Sequence, residues 1–98
     1  MKLELTSKER AAIRSKAQKL NPVVMVGHDG ITDNVVAALK EALDCHELVK
    51  VKFQDFKKDT RALSEELESR ADTTLIAVTG FTAVFYTPDP EVKHGKSL

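Results

Sequence analysis

Residues 23–36 read VVMVGHDGITDNVV, and this stretch constrains the fold more than any other. An apolar run stops at Gly27, turns through His28 and Asp29 to Gly30, and resumes within two residues in helical phase. Residues 23–26 are apolar at every position, the pattern of a strand covered on both faces. Past the turn, Thr32, Val35, Val36, Leu39, Ala42, Leu43 and His46 trace one stripe at helical spacing, with Thr32 placed to cap the helix. The chain has four glycines and spends two of them here. A Gly-x-x-Gly turn from strand to helix permits a sharp reversal and a close backbone approach. It also directs the amides of residues 33–35 outward at the positive end of the helix dipole, a natural seat for phosphate. The same pattern serves equally as nothing more than a tight turn.

The flanking segments supply the rest of the order. Thr6 and Glu9 have the spacing of a capping box, so a helix begins near Ser7. Its stripe is Ile13, Ala17 and Leu20, and Asn21-Pro22 ends it. In ELVKVKF (residues 47–53), Val49, Val51 and Phe53 share one strand face while Leu48, Lys50 and Lys52 share the other, so one sheet face is at least partly wet. Residues 56–71 read as a third amphipathic helix with Phe56, Leu63, Leu67 and Ala71 inward and Arg61 outward. TTLIAVT and FTAVFYT form two strands of a hairpin around Gly80. The tail PDPEVKHGKSL lacks a period and is expected to fray. The reading is an α/β protein, a single αβαβαββ domain over residues 1–98 with its core at about 5–88. Two strand-helix-strand crossovers and a final hairpin make its four-stranded sheet mixed.

Composition bounds the function. At 98 residues with 31% charged side chains, the chain has little room for both a core and a deep enclosed pocket, which favours a binding module over a self-contained enzyme. The charged N-terminus and the lack of a long apolar run point to a cytoplasmic protein with no membrane span. The formal net charge is zero, but it is unevenly spread. Residues 1–20 carry six basic side chains against Glu4 and Glu9, a net +4, whereas residues 54–72 carry six acids against four bases. One side of the molecule is therefore basic.

Candidate chemistry is sparse. His28, His46 and His94 share no metal-ligand spacing, and no metal site is expected. Cys45 and His46 diverge by about 100° on a helix, so Cys45 reads as a buried or half-buried thiol and His46 as a cap or a residue packed at the core edge. No GKT or GKS directly follows the glycine turn at 27–30 to hold a triphosphate, and no catalytic residues are assigned. Phe81, Phe85 and Tyr86 suit either base stacking or core packing. Arg10, Arg14, Lys16 and Lys19 flank the first helix's apolar stripe, where they can meet phosphates or simply keep the helix face in water. Lys50 and Lys52 carry the same two readings.

Three segments taken together, LNPVVMVGHDGIT, ALDCHELVKVKF and GFTAVFYT, resemble the CRM-domain family, named for chloroplast RNA splicing and ribosome maturation, over residues 5–88. A chain of one such domain looks like the family's bacterial stand-alone, YhbY-like members, which are associated with precursors of the large ribosomal subunit. The resemblance implies a fold similar to the C-terminal domain of a bacterial translation initiation factor. It implies RNA as partner, specifically large-subunit rRNA or pre-ribosomal particles, with ribosomal proteins as further contacts, and no cofactor. By resemblance, Gly27, His28, Asp29 and Gly30 contact RNA together with the basic residues Arg10, Arg14, Lys16 and Lys19, and after them Lys50 and Lys52. This sequence departs from the family's habit in three places: Asp29 puts a carboxylate between the glycines, Thr87 follows Tyr86 where a basic residue is usual, and the tail carries Asp89 and Glu91. The alternative is a small module or enzyme that uses the loop for a free phosphate or nucleotide.

Overall fold

The capping box at Thr6 forms as its spacing requires: the Thr6 hydroxyl accepts from the Glu9 amide at 3.1 Å, and the Glu9 carboxylate accepts from the Thr6 amide at 3.0 Å. It opens α1 (Ser7–Ala17), which is followed by β1 (Val24–Val26), α2 (Asp33–Cys45), β2 (Leu48–Phe53), α3 (Thr60–Arg70), β3 (Thr74–Thr79) and β4 (Thr82–Tyr86). The computed structural model describes residues 5–54 and 59–87. Phe56 and the tail, for which burial and fraying are the respective expectations, lie outside the described residues.

The four strands form one mixed sheet in the order β1-β2-β4-β3. The β1-α2-β2 crossover gives the parallel pair, Val24 opposite Val51 and Val26 opposite Phe53. The second crossover does not bring β3 beside β2. Instead β4 returns between them, antiparallel to both, because the short turn at Gly80 folds it straight back along β3.

Strand parity divides the molecule into layers. Val24, Val26, Val49, Val51, Phe53, Ala83 and Phe85 face α2 and α3 and form the main core with Leu39, Leu43, Leu67 and Ala71. On the opposite face α1 builds a smaller cluster, in which Ala17 packs with Leu48, Ile76 and Val84 and is flanked by Ile13 and Leu20. One short helix cannot cover four strands, so the β1 side of that face stays open. There the two-sided burial expected of residues 23–26 fails: Val23 is 62% and Met25 47% exposed, on an edge strand buried only toward α2.

Cys45 is also exposed rather than buried. It lies two positions past Leu43, about 200° further round α2 from the core-facing stripe. His46 is the C-cap of α2, with its amide donating to the Ala42 carbonyl at 2.9 Å, and its side chain is exposed rather than packed.

A bulge interrupts β3. Leu75 pairs with Phe85 and Ala77 with Val84, which leaves Ile76 as the extra residue. The outward backbone groups there are held by side chains from both helical layers. Arg10 of α1 donates to the Leu75 and Ile76 carbonyls at 2.8 and 3.0 Å, and Glu68 of α3 accepts from the Leu75 amide at 2.6 Å. An edge strand with its polar groups satisfied in this way is a poor template for pairing with another chain.

Candidate nucleic-acid interface

The Gly-x-x-Gly segment forms a tight turn closed by the Gly30 amide donating to the Gly27 carbonyl at 3.2 Å. The two glycines serve different ends. Gly30 sits at φ +74, a conformation costly for any residue with a side chain. Gly27 is under no such demand: a Cβ there would meet the Gln54 side chain at 3.7 Å, an ordinary contact. His28 and Asp29 at the tip are exposed. The turn stands beside the end of β2, where the Gln54 amide donates to Val26, and the Phe53 amide ties in the β3–β4 turn through Phe81.

The start of α2 offers fewer donors than expected. The Thr32 hydroxyl takes the Val35 amide at 3.2 Å, and Asp33 adds a carboxylate to the first turn. Arg70 of α3 answers that charge. It donates to the Asp33 carboxylate at 2.7 Å and to the Ile31 carbonyl at 2.9 Å, tying the exit of the glycine turn to α3. Nothing in the sequence around Arg70 announces this, since its local pattern shows only the i,i+4 partner Glu66.

The expected basic residues separate into three groups. Arg10 is committed to the β3 bulge. Lys50 reaches the end of α1, its Nζ 3.4 Å from the carbonyls of Ala17 and Leu20, where a cation meets the negative end of the helix dipole. Arg14, Lys16, Lys19 and Lys52 are exposed. Among the described residues the ion pairs join Arg61 to Glu65 and Arg70 to Asp33 and Glu66, and none uses these four cations.

Their placement also differs. Lys16 and Lys19 line the side of α1 beside Leu48. Arg14 lines the opposite side with Gln18, above an open groove of about 270 Å³ whose sheet wall includes Lys50, Thr79 and Thr82. Cross-strand register extends this wall toward the glycine turn, because Thr79 pairs with Thr82, Thr82 with Lys52, and Lys52 with Met25. The structure thus sets Lys52 beside Met25 on the open side of the sheet, with Arg14 and Lys50 lining the groove that continues this face across β4, and turns Lys16 and Lys19 to the other side of α1. Gln18, Thr79, Thr82 and Met25 are the members that sequence reading misses. Gln18 lies four positions beyond Arg14, and Thr82 alternates in phase with Val84 and Tyr86, so their faces are readable; their meeting depends on register.

Of the aromatic candidates, Phe85 is fully buried, Tyr86 is partly buried and Phe81 is 36% exposed at the hairpin turn. Burial pushes the Tyr86 phenol upward, with smaller contributions from Glu47 and Glu9. Among the described residues no three His, Cys, Asp or Glu side chains gather as metal ligands, and no helix is long and apolar enough to cross a membrane.

Known proteins share this architecture. Residues 5–87 match the CRS1 / YhbY (CRM) domain. The chain is 36% identical to the "Probable RNA-binding protein YqeI" of Bacillus subtilis, over 92% of its own length and 95% of that protein's. It is 35% identical to the "Probable RNA-binding protein PA4753" of Pseudomonas aeruginosa, over 98% and 91% of the two lengths. The solution structure of the Staphylococcus aureus protein SAV1595, described as an RNA-binding candidate, superimposes with a TM-score of 0.80 at 30% identity and covers 95% of each chain. A family match that runs from the α1 cap through the last strand, supported by full-length relatives and a shared fold, makes this chain a member of the CRS1 / YhbY (CRM) domain family.

Proposed function

We propose that residues 5–87 act as one RNA-binding domain that engages structured RNA of the large ribosomal subunit during its assembly, without catalysis and without a cofactor. One observation carries the reading: Lys52 stands beside Met25 on the open sheet face that leads to the Gly-x-x-Gly turn, and Arg14 and Lys50 line the groove that continues this face, on a chain whose relatives are named as RNA-binding proteins. RNA backbone meets Gly27, where the missing side chain leaves the main chain approachable, and the cations beside it neutralise phosphates. Lys16 and Lys19 extend the basic surface around α1. Asp29 disfavours a phosphate at the turn's tip, so the tip meets a base edge or a ribose hydroxyl, to which a carboxylate can accept.

Sedimentation of the tagged protein through a gradient of ribosomal particles tests the proposal. Co-migration with large-subunit precursors is expected. Migration only with free protein at low salt contradicts the assembly role, and failure to retain any structured RNA on a filter contradicts RNA binding itself.

A further inference from the structure

The groove between α1 and the sheet has a makeup that a general phosphate-binding surface does not require. Its floor is apolar, because register sets Ala77 beside Val84 in one cross-strand row, and its wall is Ala17. Hydrogen-bonding groups stand at the rim: the Gln18 amide on the helix side, and the Thr79 and Thr82 hydroxyls on the sheet side. Cations close two corners, Arg14 from the helix and Lys50 from the sheet, and no carboxylate of the described residues lines it. At about 270 Å³ it falls just under the roughly 300 Å³ at which sites for drug-sized molecules begin. A larger groove, about 480 Å³, is lined by Arg10 and Arg61 together with Glu65 and Glu68, so its charges balance and it carries no excess of cations for a phosphate.

We infer that this groove receives a single unpaired nucleotide of the bound RNA, with the base laid on Ala77 and Val84, its edge read by Gln18, the ribose at Thr79 and Thr82, and the phosphate at Arg14. The inference rests on the RNA-binding reading above and adds a site to it. Each part of a nucleotide meets its chemical counterpart. The flat apolar face of a base suits an alanine and valine floor. An amide that both donates and accepts matches a base edge. Hydroxyls suit the 2′-OH, and a guanidinium suits phosphate. Ala17 and Ala77 matter by their size, since longer side chains would occupy the space. An unpaired nucleotide is the form of RNA whose base is free to leave the stack and enter such a groove.

The test compares a stem-loop RNA carrying one unpaired adenosine in its stem with the same stem fully paired, using protein labelled at Ala and Val methyl groups. The bulged RNA is expected to move the Ala77 and Val84 methyl resonances upfield by the ring current of the base, and the paired RNA is expected to leave them in place. Gln18→Ala and Thr82→Val are each expected to cut affinity for the bulged RNA more than for the paired RNA, the ratio of the two affinities falling by about tenfold in the double variant. Methyl groups that stay fixed while the amides of residues 27–30 shift with both RNAs overturn the groove and leave RNA binding standing. If neither RNA binds at low salt, both readings fall.

Discussion

Arg10 of α1 donates from one guanidinium nitrogen to the carbonyl of Ile76, the bulged residue of β3, at 3.0 Å, and from the same nitrogen to Leu75 at 2.8 Å. This contact joins the first helix to the far edge of the sheet, 66 positions away in sequence. It gives a residue expected to meet RNA a structural role of its own.

Stability separates that role from the others. Arg10→Gln is expected to lower unfolding stability by about 1–2 kcal/mol, since charge-assisted bonds to partly buried carbonyls are lost. Lys16→Gln on α1 and Lys19→Gln just past its end, both at exposed positions, are expected to change it by less than about 0.5 kcal/mol. Urea unfolding followed by circular dichroism measures both; equal stability of Arg10→Gln and wild type would show that the bulge holds without its clasp.

The glycine turn yields a second contrast. Gly30→Ala forces a side chain onto a backbone at φ +74 and is expected to cost about 1–2 kcal/mol. Gly27→Ala meets only an ordinary contact with Gln54 and is expected to leave the melting temperature close to wild type, while, on the proposal that RNA backbone meets the main chain at Gly27, it weakens RNA binding. Melting curves and filter binding on the two variants decide it. Unchanged RNA affinity in a folded Gly27→Ala protein would assign both glycines to the turn alone.

Much of the fold was legible because its determinants are local. The capping box is read from Thr6 and Glu9, and the two-faced strand from the alternation of Leu48, Val49, Lys50, Val51, Lys52 and Phe53. The open half of the sheet was not. The run at 23–26 is apolar throughout, and a local pattern does not disclose that α1, placed by long-range packing of Ala17 on Leu48, Ile76 and Val84, stops short of β1. The bulge was hidden for a related reason: Leu75, Ile76, Ala77 and Val78 are all apolar, so no alternation marks the slipped residue. The candidate site was legible as a set of residue types around the glycines. Which cations reach it, and which is spent on Ile76, depends on tertiary register alone.

The capping box has a pH signature. Hydrogen bonds from the Thr6 amide first, and from its hydroxyl second, hold the Glu9 carboxyl below its ordinary range. Its folded value is the depressed one, so the contribution is fully present above the unfolded value of about 4.3 and is lost as pH falls through the folded value. Glu9→Gln keeps an acceptor for the Thr6 amide but does not titrate. The difference in melting temperature between wild type and Glu9→Gln is therefore expected to shrink on acidification below about pH 4.3. A difference that stays constant to lower pH would contradict the assignment.

Asp29 stands exposed at the tip of the turn. Asp29→Lys removes the carboxylate that accepts from a base edge or a ribose hydroxyl, and is expected to weaken binding of structured RNA by about 1 kcal/mol. Filter binding at fixed salt reads the difference, and a gain of affinity would show that phosphate passes the tip instead.

The central claim, that RNA lies on the half-open sheet face between Arg14 and the glycine turn, is tested most directly by the salt dependence of binding. Wild type and the double variant Arg14→Gln, Lys52→Gln are titrated with one structured large-subunit rRNA fragment at several salt concentrations, with circular dichroism confirming that both are folded. The wild-type association constant is expected to fall linearly with salt on logarithmic axes, and the double variant to bind more weakly with a slope shallower by about one to two units, one for each phosphate contact removed. A folded double variant with the affinity and slope of wild type would place the RNA elsewhere on the protein.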